Sequence, residues 1–243
     1  VTIAQSTFYR IARMKSLYVI LMICVLDVAA MAAYRELSLG MQDELMIDCA
    51  LALALVVGLI TSMVSAFEIP RELRERTAQF ILSKPMGRSA FVWGKFLGVA
   101  ALAVFNVAFV IVGSLMAYRL SFGTTPWGMA MGGALIAAEA VVLTGLGLLL
   151  SVFLSDSLAA VVLFVVFVVG HFVHVLPNKM PGGLAETLTW VLPNFYNLDV
   201  KTEISHGVEI APMFAGMGVL YGVAYVVAAA ALAIILFSRK DIA

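Results

Sequence analysis

Ser157-Leu158-Ala159-Ala160-Val161-Val162-Leu163-Phe164-Val165-Val166-Phe167-Val168-Val169-Gly170-His171-Phe172-Val173-His174-Val175-Leu176 is a run of 20 residues without Asp, Glu, Lys or Arg. Its valines would favour a strand in water. The run is, however, about twice as long as the roughly 10-residue strand of a membrane barrel, and it shows no period-two alternation. As a helix rising about 1.5 Å per residue it covers the roughly 30 Å hydrocarbon core of a bilayer. The run therefore reads as a transmembrane helix.

Working outward, the same reading gives six apolar segments, at about 16–34, 46–67, 91–118, 127–154, 157–176 and 213–237. All seven prolines (Pro70, Pro85, Pro126, Pro177, Pro181, Pro193, Pro212) fall between these segments or at their edges. That placement suits backbone that must satisfy its own hydrogen bonds inside lipid. Of the 243 residues, 63% are hydrophobic and 12% charged, against about 25% charged in a soluble domain, and the mean hydropathy is +1.06. Fifteen bases balance fifteen acids, so the zero net charge comes from scarcity and argues against a nucleic-acid partner or a disordered acidic tail. The prediction is one all-α integral membrane domain, 1–243, with six transmembrane helices and no sizeable soluble module. Cys24 and Cys49 both sit in apolar surroundings, which argues against a disulfide framework.

Basic residues set the orientation. With the N-terminus inside, the inner side holds Arg10, Arg13, Lys15, Arg71, Arg74, Arg76, Lys84, Arg88, Lys95, Arg239 and Lys240, and the outer side Arg35, Arg119, Lys179 and Lys201. This bias places both termini in the cytoplasm. Residues 1–15 carry Ala4, Phe8, Ile11 and Met14 three or four apart, predicting an amphipathic helix on the inner membrane surface.

The segment 68–90 is the one water-like stretch inside. Glu68, Arg71, Glu72, Arg74, Glu75, Arg76 and Lys84 bring seven charges together between two spans. Pro70 suits a first helical turn, and Leu73, Thr77, Phe80 and Ile81 follow the spacing of one apolar face. Pro85 and Gly87 then end the helix. A solvated positive-inside loop is the plainer alternative, but it explains neither the three acids nor the apolar face.

The string Glu72, Arg76-Thr77, Leu82-Ser83-Lys84-Pro85, Arg88 and Gly94-Lys95 resembles the cytoplasmic segment of type 2 ATP-binding-cassette (ABC-2 type) transporter permeases. The likeness is to their small six-span branch, similar to the nitrous-oxide-reductase maturation permease. Arg76-Thr77-Ala78 stands where that family commonly has a Gly-Thr pair. The resemblance implies that about 70–82 is a coupling helix seated in an ATPase cleft. Arg71, Glu72, Arg74, Glu75 and Arg76 would then serve recognition, with Leu73, Phe80 and Ile81 as anchors. It also implies a cytoplasmic ABC ATPase dimer and a second copy of the chain or a related permease as partners, with membrane lipid around them. ATP and Mg would reside on the ATPase. The source would be a bacterial or archaeal cytoplasmic membrane.

The chain itself carries no Gly-(four residues)-Gly-Lys-(Ser/Thr) phosphate loop; Gly94-Lys95-Phe96 lacks the hydroxyl and the upstream glycine. No enzymatic activity, cofactor or catalytic residue is expected in it. His171 and His174, three apart at the outer end of the fifth span, lack the company of a metal site, so they read as pathway-lining or packing residues. Asp27 and Glu139 are acids within spans. Eight strongly apolar residues of the first span contribute about 0.3–0.6 kcal/mol each and a central Asp costs about 2.5–3.5 kcal/mol. Asp27 must therefore face protein or water, either in a functional role or as a lock between helices. Gly94/Gly98, Gly128/Gly132 and Gly218/Gly222 mark close helix contacts.

The outer segment 177–212 contains an apolar run too short to span, 184–192, followed by Pro193-Asn194-Phe195-Tyr196-Asn197. It reads as a re-entrant or interfacial element, with Trp190 and Tyr196 at headgroup level. The resulting reading is the membrane subunit of an ATP-driven exporter. A membrane anchor or mechanical transmitter in an envelope assembly with the same ATPase is the first rival. A proton-coupled secondary transporter is the second, disfavoured because the sequence shows no inverted repeat.

Overall fold

The structure, a computed structural model, describes residues 2–12, 22, 25, 41–74, 87–175, 189 and 191–238, with the side chains of Thr2, Leu73 and Arg88 outside the described set. Regular secondary structure among these residues is helical. In chain order the helices are α1 (Thr2–Ala12), α2 (Gln42–Met63), α3 (Ser65–Arg74), α4 (Arg88–Phe122), α5 (Trp127–Phe153), α6 (Asp156–Phe172), α7 (Lys201–Ser205) and α8 (Pro212–Ser238). Short 3-10 turns occupy Val173–Val175 and Phe195–Asn197.

Five stretches, Gln42–Glu72, Ser89–Phe122, Trp127–Phe153, Asp156–Val175 and Pro212–Ser238, are long and apolar enough to cross a membrane. They fall on five of the six expected runs. The sixth, 16–34, lies outside the described residues with Asp27, except for Met22 and Val25, which are helical and exposed.

Local chemistry sets the helix ends. Gly123 adopts a left-handed conformation (φ 74°) after α4 and donates its N–H to the Arg119 carbonyl at 2.9 Å, a cap that a side chain would strain. Pro212 opens α8, where its missing N–H has no helical partner to lose. Only Leu154 and Ser155 separate α5 from α6, which makes the two an antiparallel pair.

The central helix is α5, which contacts α2, α3, α4, α6, α7 and α8. Its glycines permit this: a Cβ at Gly133 would meet Ile111 of α4, and one at Gly147 would meet Ser65 of α3. A polar seam joins α2, α4 and α5. Ser62 Oγ lies 2.7 Å from both the Gly58 and Ala140 carbonyl oxygens, and Asn106 Nδ2 donates to Thr61 Oγ1 at 3.0 Å. Such interhelical bonds stand in for the hydrophobic drive that lipid does not supply.

Two expectations differ from the structure. Pro70 was expected in a first helical turn, yet it is the sixth residue of the ten-residue α3, which continues from α2 through Val64 in right-handed helical geometry. Packing holds the proline there, since Ala66 and Ile69 on the same turn are fully buried. The helix α1 was expected to lie on the membrane surface, yet it runs along α4 in the same direction. Ile3 meets Gly94, Thr7 meets Gly98, and Ile11 packs with Val99 and Leu102. A Cβ at either glycine would come within 2.7 Å of α1 side-chain atoms. The α4 helix has 35 residues, about 52 Å, some 20 Å more than the hydrocarbon core.

Candidate functional site

The first candidate lies where α3 meets α1, α4 and α6. Glu68 and Glu72, one helical turn apart on α3, are 1% and 7% exposed, and Lys95 of α4 is 2% exposed. Lys95 Nζ is 3.3 Å from Glu68 Oε2 and is ion-paired with Glu72, while Arg10 of α1 is ion-paired with Glu68. Two bases thus neutralise two acids, the condition for keeping such charges away from water. Further along α3, exposed Arg74 reaches Asp156 Oδ2 at the start of α6, 2.7 Å away.

Sequence reasoning assigned Glu72 to partner recognition. The structure buries it against Lys95, because residues 68 and 72 share the helix face turned towards α4. Arg71 is half-buried and Arg74 exposed. Leu73 is helical, but its side chain, like Glu75, Arg76, Phe80 and Ile81, lies outside the described residues. The Gly94-Lys95 pair acquires a physical meaning here: the glycine admits α1, and the lysine neutralises α3. Sequence reasoning missed this cluster, although two acids at i and i+4 and a lysine inside an apolar run were the available signals.

The second candidate lies midway along α5. Glu139 is 1% exposed, and neither of its carboxylate oxygens has a hydrogen-bond partner among the described residues. Its neighbour is His171 of α6, with Nε2 3.6 Å from Glu139 Oε1 and 4.0 Å from Asp199 Oδ2. Asp199 Oδ2 in turn takes the Lys201 ammonium at 3.0 Å. The structure thus brings together Glu139 and His171, but not His174, whose ring stacks on Tyr196 with centroids 3.9 Å apart. Asp199 and Lys201 were not singled out from the sequence, where the only signal was two charges just after an apolar aromatic run.

The second candidate is closed by the segment 191–205, which packs deep into the bundle. Phe195 fills the space that Gly170 leaves, Leu198 lies over Gly218, and Ile204 lies over Gly128 and Gly132. Phe195, Leu198 and Ile204 are all buried in the main core. The Asn194 N–H donates to Tyr221 Oη at 2.7 Å, and Tyr225 Oη donates to the Leu192 carbonyl at 3.0 Å, tying the segment to α8. The expected element at 184–192 falls largely outside the described residues, with Trp190, while Tyr196 is exposed. Beside this segment a cleft of about 410 Å³ opens between Leu55 of α2 and Phe167, His171 and Phe172 of α6.

Among curated proteins none matches the chain. The family model for ABC-2 family transporter proteins matches residues 2–242, nearly the whole chain. Members of that family are membrane permease components that work with ABC ATPase partners and are generally not catalytic themselves. This multi-pass membrane protein therefore belongs to the ABC-2 transporter family.

Proposed function

We propose that the chain is the permease subunit of an ATP-driven exporter, in which closure of a cytoplasmic ATPase dimer moves the segment 71–90 and so alternates access to a pathway formed by two permease copies. The observation that carries this reading is the tethering of α3. It continues a span, and ion pairs tie it to α1, α4 and α6 through Arg10, Lys95 and Asp156. A push on its end therefore reaches three helices at once, as a transmission element requires.

In this reading Arg71 and Arg74, with Glu75 and Arg76 beyond them, meet the ATPase, and Phe80 and Ile81 anchor the contact. Glu72 serves as an internal tether. ATP and Mg belong to the ATPase. The segment 191–205 closes the outer end, the second permease copy completes the pathway, and the membrane is the inner membrane of a bacterium or archaeon. The plan resembles that of the small six-span branch similar to the nitrous-oxide-reductase maturation permease.

The test is purification of the chain from its native membrane, with ATP hydrolysis measured in lipid. The expected result is copurification of an ABC ATPase whose hydrolysis is stimulated by the transported compound. Solute movement driven by a proton gradient with no ATPase present overturns the reading. Copurification with an envelope assembly, and hydrolysis that no solute stimulates, supports mechanical transmission instead.

A further inference from the structure

The cleft between α2 and α6 joins an aromatic, apolar body to an acidic mouth. Leu55 of α2, Phe167 and Phe172 of α6, and the stacked pair His174 and Tyr196 form its walls. It opens sideways, since Phe172 is 61% and Tyr196 51% exposed. Asp199 also lines it, with the Lys201 ammonium 3.0 Å away to offset the charge. Two further acids stand here, and neither is ion-paired with a Lys or Arg among the described residues. Asp48 is exposed and has no hydrogen bond or ion pair among those residues. It precedes Leu55 by seven positions, which puts it on the same face of α2, about 10 Å nearer the start of that helix. Glu139 lies behind His171, with Oε1 3.6 Å from Nε2, and neither of its carboxylate oxygens has a hydrogen-bond partner among the described residues.

The depth of these groups matters as much as their charge. Asp48 precedes Glu68 on the nearly continuous α2 and α3 by about 30 Å of helix, the thickness of the hydrocarbon core. With Glu68 at the inner edge, Asp48 marks the outer one, and Leu55 and the rings lie beneath it. We propose that this cleft binds a lipophilic organic cation, its rings or chain among Leu55, Phe167 and Phe172 and its charge turned towards Asp48, and that such a cation is the compound exported. The second half rests on the transport reading. A cation gains from the acids and from the faces of the aromatic rings. An anion of the same shape meets the same acids and is repelled, and a neutral amphiphile gains only the apolar contact. Tyr196 and Asp199 belong to the segment 191–205, so the element that closes the outer end also supplies part of the site.

The test is equilibrium dialysis of the full chain in lipid nanodiscs against radiolabelled tetraphenylphosphonium, with empty nanodiscs as the blank. Saturable binding above the blank, one cation per chain, is expected. In a separate titration tetraphenylborate, alike in shape and opposite in charge, is expected to show none. Asp48→Asn and Phe172→Ala are each expected to weaken binding about tenfold. Both side chains are exposed, so neither change removes core packing. Binding no greater than to empty nanodiscs overturns the proposal, as do equal saturable binding of tetraphenylborate and unchanged affinity in both variants. The titration needs no ATPase, so failure of the transport reading leaves its outcome standing. If a copurified ATPase is stimulated by another solute and not by tetraphenylphosphonium, the cation site stands and its assignment as the transport site falls.

Discussion

Lys95 on α4 is ion-paired with Glu72 on α3 although both side chains are buried, and the same ammonium lies 3.3 Å from Glu68. Removing it takes away the ammonium that both acids share in the interior. Lys95→Met is therefore expected to destabilise the fold by about 3–5 kcal/mol, read by reversible unfolding in mixed micelles. Arg10→Ala is expected to cost less, since Glu68 keeps Lys95. Equal stability of Lys95→Met and wild type contradicts the buried network.

The α1 helix rests on bare backbone at Gly98, where an added Cβ would lie 2.7 Å from Thr7 Cβ and 2.8 Å from the Ala4 carbonyl oxygen. Gly98→Val should therefore push α1 away, an overpacking effect of about 1–3 kcal/mol. Hydrogen exchange of residues 2–12 is the measurement, with faster exchange in the variant expected. Unchanged protection of α1 contradicts its seat on α4.

Phe195 fills the space at Gly170. Gly170→Leu is expected to expel the segment 191–205 and to abolish transport, while ATPase copurification persists because the change lies far from α3. Transport assayed beside copurification separates the two effects. Full transport by Gly170→Leu shows that closure at this end does not depend on Phe195.

The anchoring role proposed for Phe80 predicts that Phe80→Ala weakens ATPase association by about 2 kcal/mol, with insertion unaffected. Reversing Glu75 and Arg76 together should impair register in the same assay. Association at wild-type strength in both variants reduces this segment to a solvated loop.

Orientation is tested by single-cysteine labelling in intact cells. A cysteine at Glu209 is expected to react with an impermeant reagent, and one at Glu75 only after permeabilisation, because eleven of the fifteen basic residues fall on the side read as inner. Reaction at Glu75 from outside reverses the topology.

Five of the six expected spans were legible because a membrane requires long uninterrupted apolar runs. The expected 213–237 is Pro212–Ser238 in the structure, and 127–154 is Trp127–Phe153. The glycine pairs were legible as contacts but not as to partner. Nothing in the sequence says that Gly94 and Gly98 receive α1 or that Gly128 and Gly132 receive Ile204. The charge cluster was hidden for a related reason. A count of bases treats Lys95 as one more inner charge, and only the packing of α4 on α3 turns it inward. Asp199 was illegible because its partner His171 is 28 residues away in the chain, and only the insertion of Phe195 and Leu198 brings them together.

Pro70 has no N–H to give the carbonyl oxygen of Ala66, so α3 is missing one rung of its hydrogen-bond ladder at that point. Glu68 lies before the gap and Glu72 after it, and Lys95 holds both. A rod weakened at one place and strapped across that place by one ammonium is a hinge with a stop. While the strap holds, the residues beyond Pro70 swing only with the span behind them. Arg74, beyond the gap, is held in turn by Asp156 at 2.7 Å, so a turn of that end about Pro70 is passed on to α6.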